Sequence, residues 1–377
     1  MHRKIDRFKG SIYRFPMKTP LYNEHILLGA RMAPFGGWDM PIQYEGILAE
    51  HQQTRSACSL FDICHMGEFL LMGKDAAGDL ERMLTQRIST LAVGQCRYGY
   101  LLNEDSCVLD DLTCYRLGED RYYLVVNAAT TGRDAAWIRE RISPDTLFED
   151  VSEITAKLDV QGPSSRAGLE RVAGCVLPDL KYFHAAQVKL LGTECLVSRT
   201  GYTGEWGYEL YFPATEAVRF WKALVADEGI RPAGLGARDT LRLEMGYPLY
   251  GHELFEDRSP LGASHGLFVD FTKTFIGREA LLREKDAGSR KHLVGLRLET
   301  KSAARADDVV RLVDAPVGYV TSGSLAPSLG VAVALAYVDA EVSTPKQELT
   351  IETRGRRLAA EVVELPFYRE GTARKAR

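Results

Sequence analysis

Apolar positions follow two different rhythms along the chain. From Thr19 to about Thr272, strand-like and helix-like patterns alternate. Glu68–Met72 and Arg121–Asn127 read as strands, the second on the run Tyr122, Tyr123, Leu124, Val125 and Val126, whose aromatic and β-branched side chains suit a pleated surface. Ala76–Arg87 and Ala214–Asp227 read as helices. Ala76, Leu80, Met83 and Leu84 make one apolar stripe in the first, and Val218, Trp221, Leu224 and Val225 make one in the second. This mixture predicts α+β layers. In Trp206–Phe212 the alternation turns Trp206, Tyr208, Leu210 and Phe212 one way and Glu209 the other. After a charged stretch containing Arg283, Glu284, Lys285, Asp286 and Lys291 the rhythm changes. Short apolar runs at Leu293–Leu298, Val317–Val320, Val331–Val338 and Leu358–Leu365, separated by Gly, Pro and Ser, predict a small antiparallel barrel or sandwich. The domain boundary is expected near residue 285, and no repeat of solenoid or propeller period is evident.

Length and composition narrow the function. At 377 residues the chain is long enough for two or three domains at ~150 residues each. It is 45% hydrophobic and 26% charged, close to the globular norm. Lys+Arg 47 against Asp+Glu 51 leaves a net charge of -4, so no general positive field exists to hold a polyanion, and nucleic acid is not an expected partner. The 7 cysteines, an odd count with no C-x-x-C pair, point to a reducing, cytoplasmic home. The longest apolar run, Val331–Val338, is far short of the ~20 residues that span a bilayer, so no membrane association is expected. Residues 1–18 carry Arg3, Lys4, Arg7, Lys9, Arg14 and Lys18 without the apolar stretch of a secretory signal. They read as a solvated, disordered arm, and since Met17 directly precedes the patterned region, part of the arm also reads as the product of an upstream start codon. No histidine pair has helical metal-ligand spacing, so no metal is expected.

Several stretches carry candidate chemistry. Asp110 and Asp111 interrupt the apolar run Val108–Leu112; in a strand such neighbours face opposite sides, so one can be solvated while the other enters a pocket. A turn with two exposed acids is the plainer alternative. In Arg199–Glu209, glycines interleave with aromatics and two carboxylates, a pattern that lets backbone approach a flat ligand and offers an acceptor-only fork to paired N–H donors such as the edge of a pterin or guanine. A hairpin turn explains the same glycines. Gly234-Leu235-Gly236 opens a predicted helix to Met245 but lacks the rest of a dinucleotide fingerprint. Arg238 and Arg242 share a face of that helix and suit either a ligand carboxylate or a neighbouring acid. His65 beside Cys64 suggests a thiol activated by a base, but sequence neighbours in a strand point apart, and a satisfied structural histidine is the favoured reading.

Taken together, these stretches resemble the glycine cleavage system T-protein (aminomethyltransferase) family. The motifs are Gly37-Trp38-Asp39-Met40-Pro41, Phe61-Asp62-Ile63-Cys64-His65-Met66, Leu109-Asp110-Asp111-Leu112, Val125-Val126-Asn127-Ala128, Gln161-Gly162-Pro163, Gly201–Glu209, Ala233–Leu243 and Thr321-Ser322-Gly323, spread over residues 19–369. The resemblance implies a two-domain folate-binding core with a central cavity over residues 19–285, and a C-terminal antiparallel β-barrel and tail over 286–377. It implies transfer of an aminomethyl carbon from the lipoyl arm of the carrier H-protein to tetrahydrofolate, a co-substrate, with release of ammonia and formation of 5,10-methylenetetrahydrofolate. By the same matching Asp111 is the catalytic acid, Glu209 reads the pterin, Arg238 contacts the folate, and Tyr98, Asn127, Tyr182 and Tyr202 line the cavity. A tetrahydrofolate-dependent demethylase of the same fold, acting on a small methyl donor, is the alternative. Three departures from the family pattern stand out. Ser106-Cys107 replaces a glycine pair before the acids, Gly266-Leu267-Phe268 lacks a tryptophan, and the barrel looks shortened around Ala304–Leu312.

Overall fold

A computed structural model of the chain describes residues 16–375. The expected arm over residues 1–18 lies mostly outside them, but Met17–Lys18 is a short strand paired with Trp38 and Asp39 in a three-stranded sheet. Two larger sheets form the core. The first has the order Cys96–Leu102, Val108–Gly118, Arg121–Val126, Gly67–Met72, Leu147–Asp150; the second has Ala185–Leu190, Thr193–Ser198, Gly207–Pro213, Thr155–Gln161, Ser59–Asp62, Arg231–Pro232.

These sheets are stacked between helices, as the apolar stripes require. Leu80 and Met83 of helix Ala76–Met83 and Ile138 of helix Thr131–Arg139 bury against the outer face of the first sheet. Leu169 of helix Ser165–Ala173 and Phe220, Trp221 and Leu224 of helix Ala217–Val225 bury against the second. The inner faces meet over a cluster that includes Tyr115, Tyr123, Leu196 and Tyr211, with the Tyr115 and Tyr211 hydroxyls 3.1 Å apart. The result is helix, sheet, sheet, helix, in keeping with the α+β expectation. Each half repeats one topology: a strand, a helix, three antiparallel strands and a second helix, with the first strand hydrogen-bonded to the last of the three. No sequence period announces this duplication.

The first predicted helix ends early, at Met83 rather than Arg87, because Leu84 turns extended and bridges Leu101, while the Lys273 ammonium donates to the carbonyls of Glu81 and, at 2.6 Å, Leu84. A cation on the last carbonyls is a favourable helix terminus. The expected boundary residue 285 lies within helix Arg278–Ala287. Beyond it a closed barrel runs Lys291–Leu298, Val331–Asp339, Ala315–Ala326, Val309–Leu312, Glu348–Thr353, Arg356–Val363. Val309–Leu312 falls in the segment that looked shortened, yet it pairs on both sides and so closes the barrel. Helix Leu235–Glu244 joins barrel to core: Arg242 donates to Ser322 Oγ at 2.8 Å, and Glu244 accepts from the Ser328 hydroxyl at 2.8 Å.

The glycines of the 201–207 turn have a packing role that sequence did not reveal. Gln161 folds over them, taking a hydrogen bond from Thr203 at 2.7 Å and donating to Thr200 O at 3.0 Å. A Cβ at Gly207 would lie 2.1 Å from Gln161 Nε2, and one at Gly201 2.3 Å from it. The close approach is therefore to a buried side chain of the neighbouring strand. Gly207→Ala is expected to lower stability by ~1–3 kcal/mol, the usual cost of overpacking. Urea unfolding of Gly207→Ala alone and with Gln161→Ala checks it, since the penalty shrinks in the second background if Gln161 is the obstacle.

Candidate active site

Between the two sheets and the sheet Met17–Gln43 lies a cavity of about 1650 Å³. Ligand pockets usually measure ~300–1,000 Å³, so this one has room for two reactants. Ile154, 68% exposed, belongs to its lining, so the hollow opens to solvent there.

The first sheet supplies Asp111. The strand Val108–Gly118 turns Asp110 and Leu112 toward the helix layer and Asp111 and Thr113 toward the cavity. The plainer alternative of two exposed acids is corrected: Asp110 is fully buried against the helix layer, and Asp111 is half-buried in the cavity wall. Tyr98 donates its hydroxyl to Asp111 Oδ2 at 2.9 Å. Asn127, one residue past the strand Arg121–Val126, donates Nδ2 to Asp111 Oδ1 at 2.9 Å and to Asp110 Oδ1 at 2.8 Å, while its backbone N–H donates to Asp110 Oδ2 at 3.0 Å. Burial, and then the charge of Asp110, pushes the Asp111 carboxyl up to about 7 against the pull of these hydrogen bonds.

The second sheet supplies Glu209. Register sets it directly opposite Asp159, so both carboxylates occupy the same face. Like charges so placed repel, and each has its own cation: Lys157 Nζ lies 3.3 Å from Glu209, and Arg238 donates to Asp159 Oδ2 at 2.5 Å. The Thr200 hydroxyl also donates to Glu209. Burial works against the Glu209 charge, but Lys157 and Thr200 prevail and hold its carboxyl below the usual range. For Asp159 burial prevails, and its carboxyl rises to about 6.

The cavity thus brings together Tyr98, Asp111, Asn127, Tyr202, Glu209 and Arg238. Tyr182 does not line it. Tyr182 packs edge-on against Phe183, ring centroids 4.7 Å apart, and Phe183, at φ 60°, takes the place in the lining. Arg242 also faces the cavity but is committed to Asp239 at 2.8 Å and Glu253 at 2.9 Å. The Cys64 thiol is buried, donates to Lys157 O and is pushed well above its ordinary pKa, so it offers no thiolate. His65 corrects the reading of a satisfied histidine: burial holds it neutral, down to about 3, and its Nδ1 has no hydrogen-bond partner among the described residues. Its ring stands edge-on to Phe35 in the cavity wall.

Two of the departures have structural substitutes. Ser106 takes the left-handed conformation a glycine would favour, φ 68°, in a turn held by Asn103 Oδ1, which accepts from Asp105 N at 3.0 Å and Cys107 N at 2.9 Å. Phe268 backs Tyr98 edge-on at 4.7 Å, whereas Leu267 is exposed. Sequence reasoning missed Lys157 and Asp159. Their signal was the alternation of Lys157, Asp159 and Gln161 in an otherwise apolar strand. It also missed the C-terminal segment, where Thr372 donates to Glu205 at 2.6 Å, Ala373 N donates to Gly204 O at 3.0 Å, and Arg199 donates to Ala373 O at 3.0 Å, clasping the glycine-rich turn. No group of three or more potential metal ligands occurs among the described residues.

Residues 21–273 match the family described as the GCVT N-terminal domain, and residues 291–369 match the glycine cleavage T-protein C-terminal barrel domain. The chain is 45% identical over 356 residues to the aminomethyltransferase of Desulforamulus reducens, covering 93% of this chain and 98% of the relative. It is 45% identical over 357 residues to that of Moorella thermoacetica, with the same coverage, 93% and 98%. The crystal structure of the glycine cleavage system aminomethyltransferase T from Bartonella henselae superposes with a TM-score of 0.89 at 34% identity, covering 94% of this chain and 98% of that one. Two family matches, close relatives along nearly the whole length and a shared fold agree, and the chain belongs to the glycine cleavage T-protein (aminomethyltransferase) family.

Proposed function

We propose that this chain is the aminomethyltransferase of a glycine cleavage system, moving the aminomethyl carbon from the lipoyl arm of the H-protein to tetrahydrofolate with release of ammonia. The observation that carries this reading is the convergence of Asp111 and Glu209, from different sheets, on one cavity. The residues fit a reduced pterin. Glu209 is acceptor-only and kept ionised, which matches an edge bearing paired N–H donors, while Tyr98, Tyr202 and Val125 offer apolar and aromatic cover. Arg238, pinned by Asp159, lies with its guanidinium 5.0 Å from the Tyr202 ring centre and can reach the same ligand. The size of the hollow and its opening beside Ile154 suit entry of an arm borne by another protein. The 7 free thiols agree with a reducing, cytoplasmic setting.

When bound, tetrahydrofolate supplies the nitrogen nucleophile that accepts the carbon. Every other requirement falls on the chain. Positive charge builds on the transferred carbon as its bond to the arm weakens, and an ionised Asp111, held by Tyr98 and Asn127, lowers the energy of that charge. Holding both reactants in one hollow removes a further part of the barrier, up to ~7–11 kcal/mol in favourable cases.

Tetrahydrofolate-dependent ammonia release from an aminomethylated lipoyl H-protein is the direct test; no release, with turnover of a free methyl donor instead, would point to the demethylase. Asp111→Asn is expected to keep folate affinity and to lower turnover by roughly 10- to 1,000-fold, read by steady-state kinetics alongside a folate titration. Glu209→Gln is expected to weaken folate binding first, by about 10- to 100-fold, the equivalent of losing a charged hydrogen bond of ~1.5–3 kcal/mol. The pH profile has a definite sign. The ionised form of Asp111 is the active one, so turnover falls as pH drops through about 7, and Asp111→Asn flattens that limb.

A further inference from the structure

Behind the strand that carries Asp111, on the face covered by helix Thr131–Arg139, a second carboxylate pair is buried: Asp110 at 0% exposure and Asp134 at 1%. The Asp134 carboxyl is hydrogen-bonded to that of Asp110, yet its Oδ2 meets no donor among the described residues. Two carboxyl groups bond to each other only when one carries a proton. The burden of holding it falls on Asp134. Burial, then the charge of Asp110, raises its carboxyl to about 10, with Arg133 Nε at 3.5 Å from Oδ1 as the nearby cation. Burial raises the Asp110 carboxyl too, but the hydrogen bond from Asp134 and the backbone N–H and Nδ2 of Asn127, both of which it accepts, pull against that, so the negative charge of the pair falls to Asp110. Nδ2 of the same Asn127 donates onward to Asp111 Oδ1. The route from the helix layer to the cavity is thus a continuous chain of contacts: Asp134, Asp110, Asn127, Asp111.

We propose that Asp110 and Asp134 are a positioning pair that shares one proton, locks the Asn127 amide, and thereby sets both the orientation and the ionisation of Asp111. The proposal rests on the aminomethyltransferase reading above and adds two residues to it. A fixed negative charge behind Asp111 makes its ionised form harder to reach in the empty site, and a positive centre arriving in the cavity offsets that cost, so its full charge develops where the reaction needs it. Tyr98, Tyr100 and Tyr202 also face Asp111, the cations Arg238 and Arg242 share its cavity but are paired with Asp159, and with Asp239 and Glu253, and the Asp110–Asp134 pair is faced by Thr130, Arg133 and Tyr250. None of the tyrosines carries charge near neutral pH, which leaves Asp110 as the neighbour whose charge Asp111 feels most.

Full-length wild type is assayed first with the H-protein; absence of activity there defeats the aminomethyltransferase reading and is separable from failure of the positioning pair. In ligand-free protein at pH 8, infrared difference spectra are expected to show a protonated-carboxyl C=O absorption that weakens in Asp134→Asn. Buried Glu68, also raised, contributes a band that stays. In turnover, Asp110→Asn is expected to move the acid limb to lower pH, so that the variant keeps a larger share of its own maximum at pH 6, with the KM for tetrahydrofolate within about twofold of wild type. Asp134→Leu is expected to lower kcat about tenfold, and Asp134→Asn, which restores an N–H donor to Asp110, to recover most of that loss. An unchanged carboxyl absorption in Asp134→Asn, or an acid limb unmoved in Asp110→Asn, overturns the proposal. Should Asp134→Leu fail to fold, the infrared spectrum of Asp134→Asn and the Asp110→Asn profile still decide it.

Discussion

Asp159 and Glu209 lie across from each other on antiparallel strands, both buried, and the site depends on how that repulsion is relieved. Lys157 stands two residues before Asp159 on the same face, and Arg238 reaches across from helix Leu235–Glu244. Removing either cation would strand a buried acid, a cost of several kcal/mol. The charges are therefore divided among three segments distant in sequence, and folding must bring all three together before Glu209 can stay ionised. That ties the Glu209 end of the cavity to the integrity of the core.

At the other end of the hollow the logic is reversed. Among the described residues no cation pairs with Asp111; a second carboxylate and a network of neutral donors surround it instead. One end is thus arranged to hold a permanent negative charge and the other to hold a charge that comes and goes near neutral pH. Two carboxylates in different surroundings can take different tasks, one in recognition and one in chemistry. Rigidity comes from outside the sheets. The C-terminal segment clasps the turn that carries Tyr202, and the buried Arg242 joins the helix bearing Arg238 to the barrel through Ser322. The barrel thereby acts on the cavity wall from a distance.

Much of this was legible in the chain itself. Element types followed from periodicity wherever an apolar stripe was long enough, and the alternation in Trp206–Phe212 turned Glu209 away from its apolar neighbours, as observed. Where periodicity was short or diluted by polar residues, as in Glu348–Thr353, the strand went unseen. The helix expected to reach Arg87 ends where Leu84 bridges Leu101 and Lys273 meets the last carbonyls, partners that no local window contains. The glycines of the 201–207 turn were recognised as a close approach, but the partner proved to be Gln161.

Sequence alone thus determined the layers and the faces that individual side chains take on their own strands, because these follow from local spacing, while the family and the choice of a barrel over a sandwich came from its motifs. Periodicity did not determine which of two adjacent aspartates enters the cavity; only the family resemblance singled out Asp111. A strand tells neighbours apart only as odd and even, and the stacking of one sheet on the other decides which parity meets the hollow and which meets a helix. The partnership of Asp110 with Asp134 and the cations opposite Asp159 and Glu209 have the same origin. They are contacts across layers, created by burial, and burial is a property of the packed molecule that no stretch of chain contains.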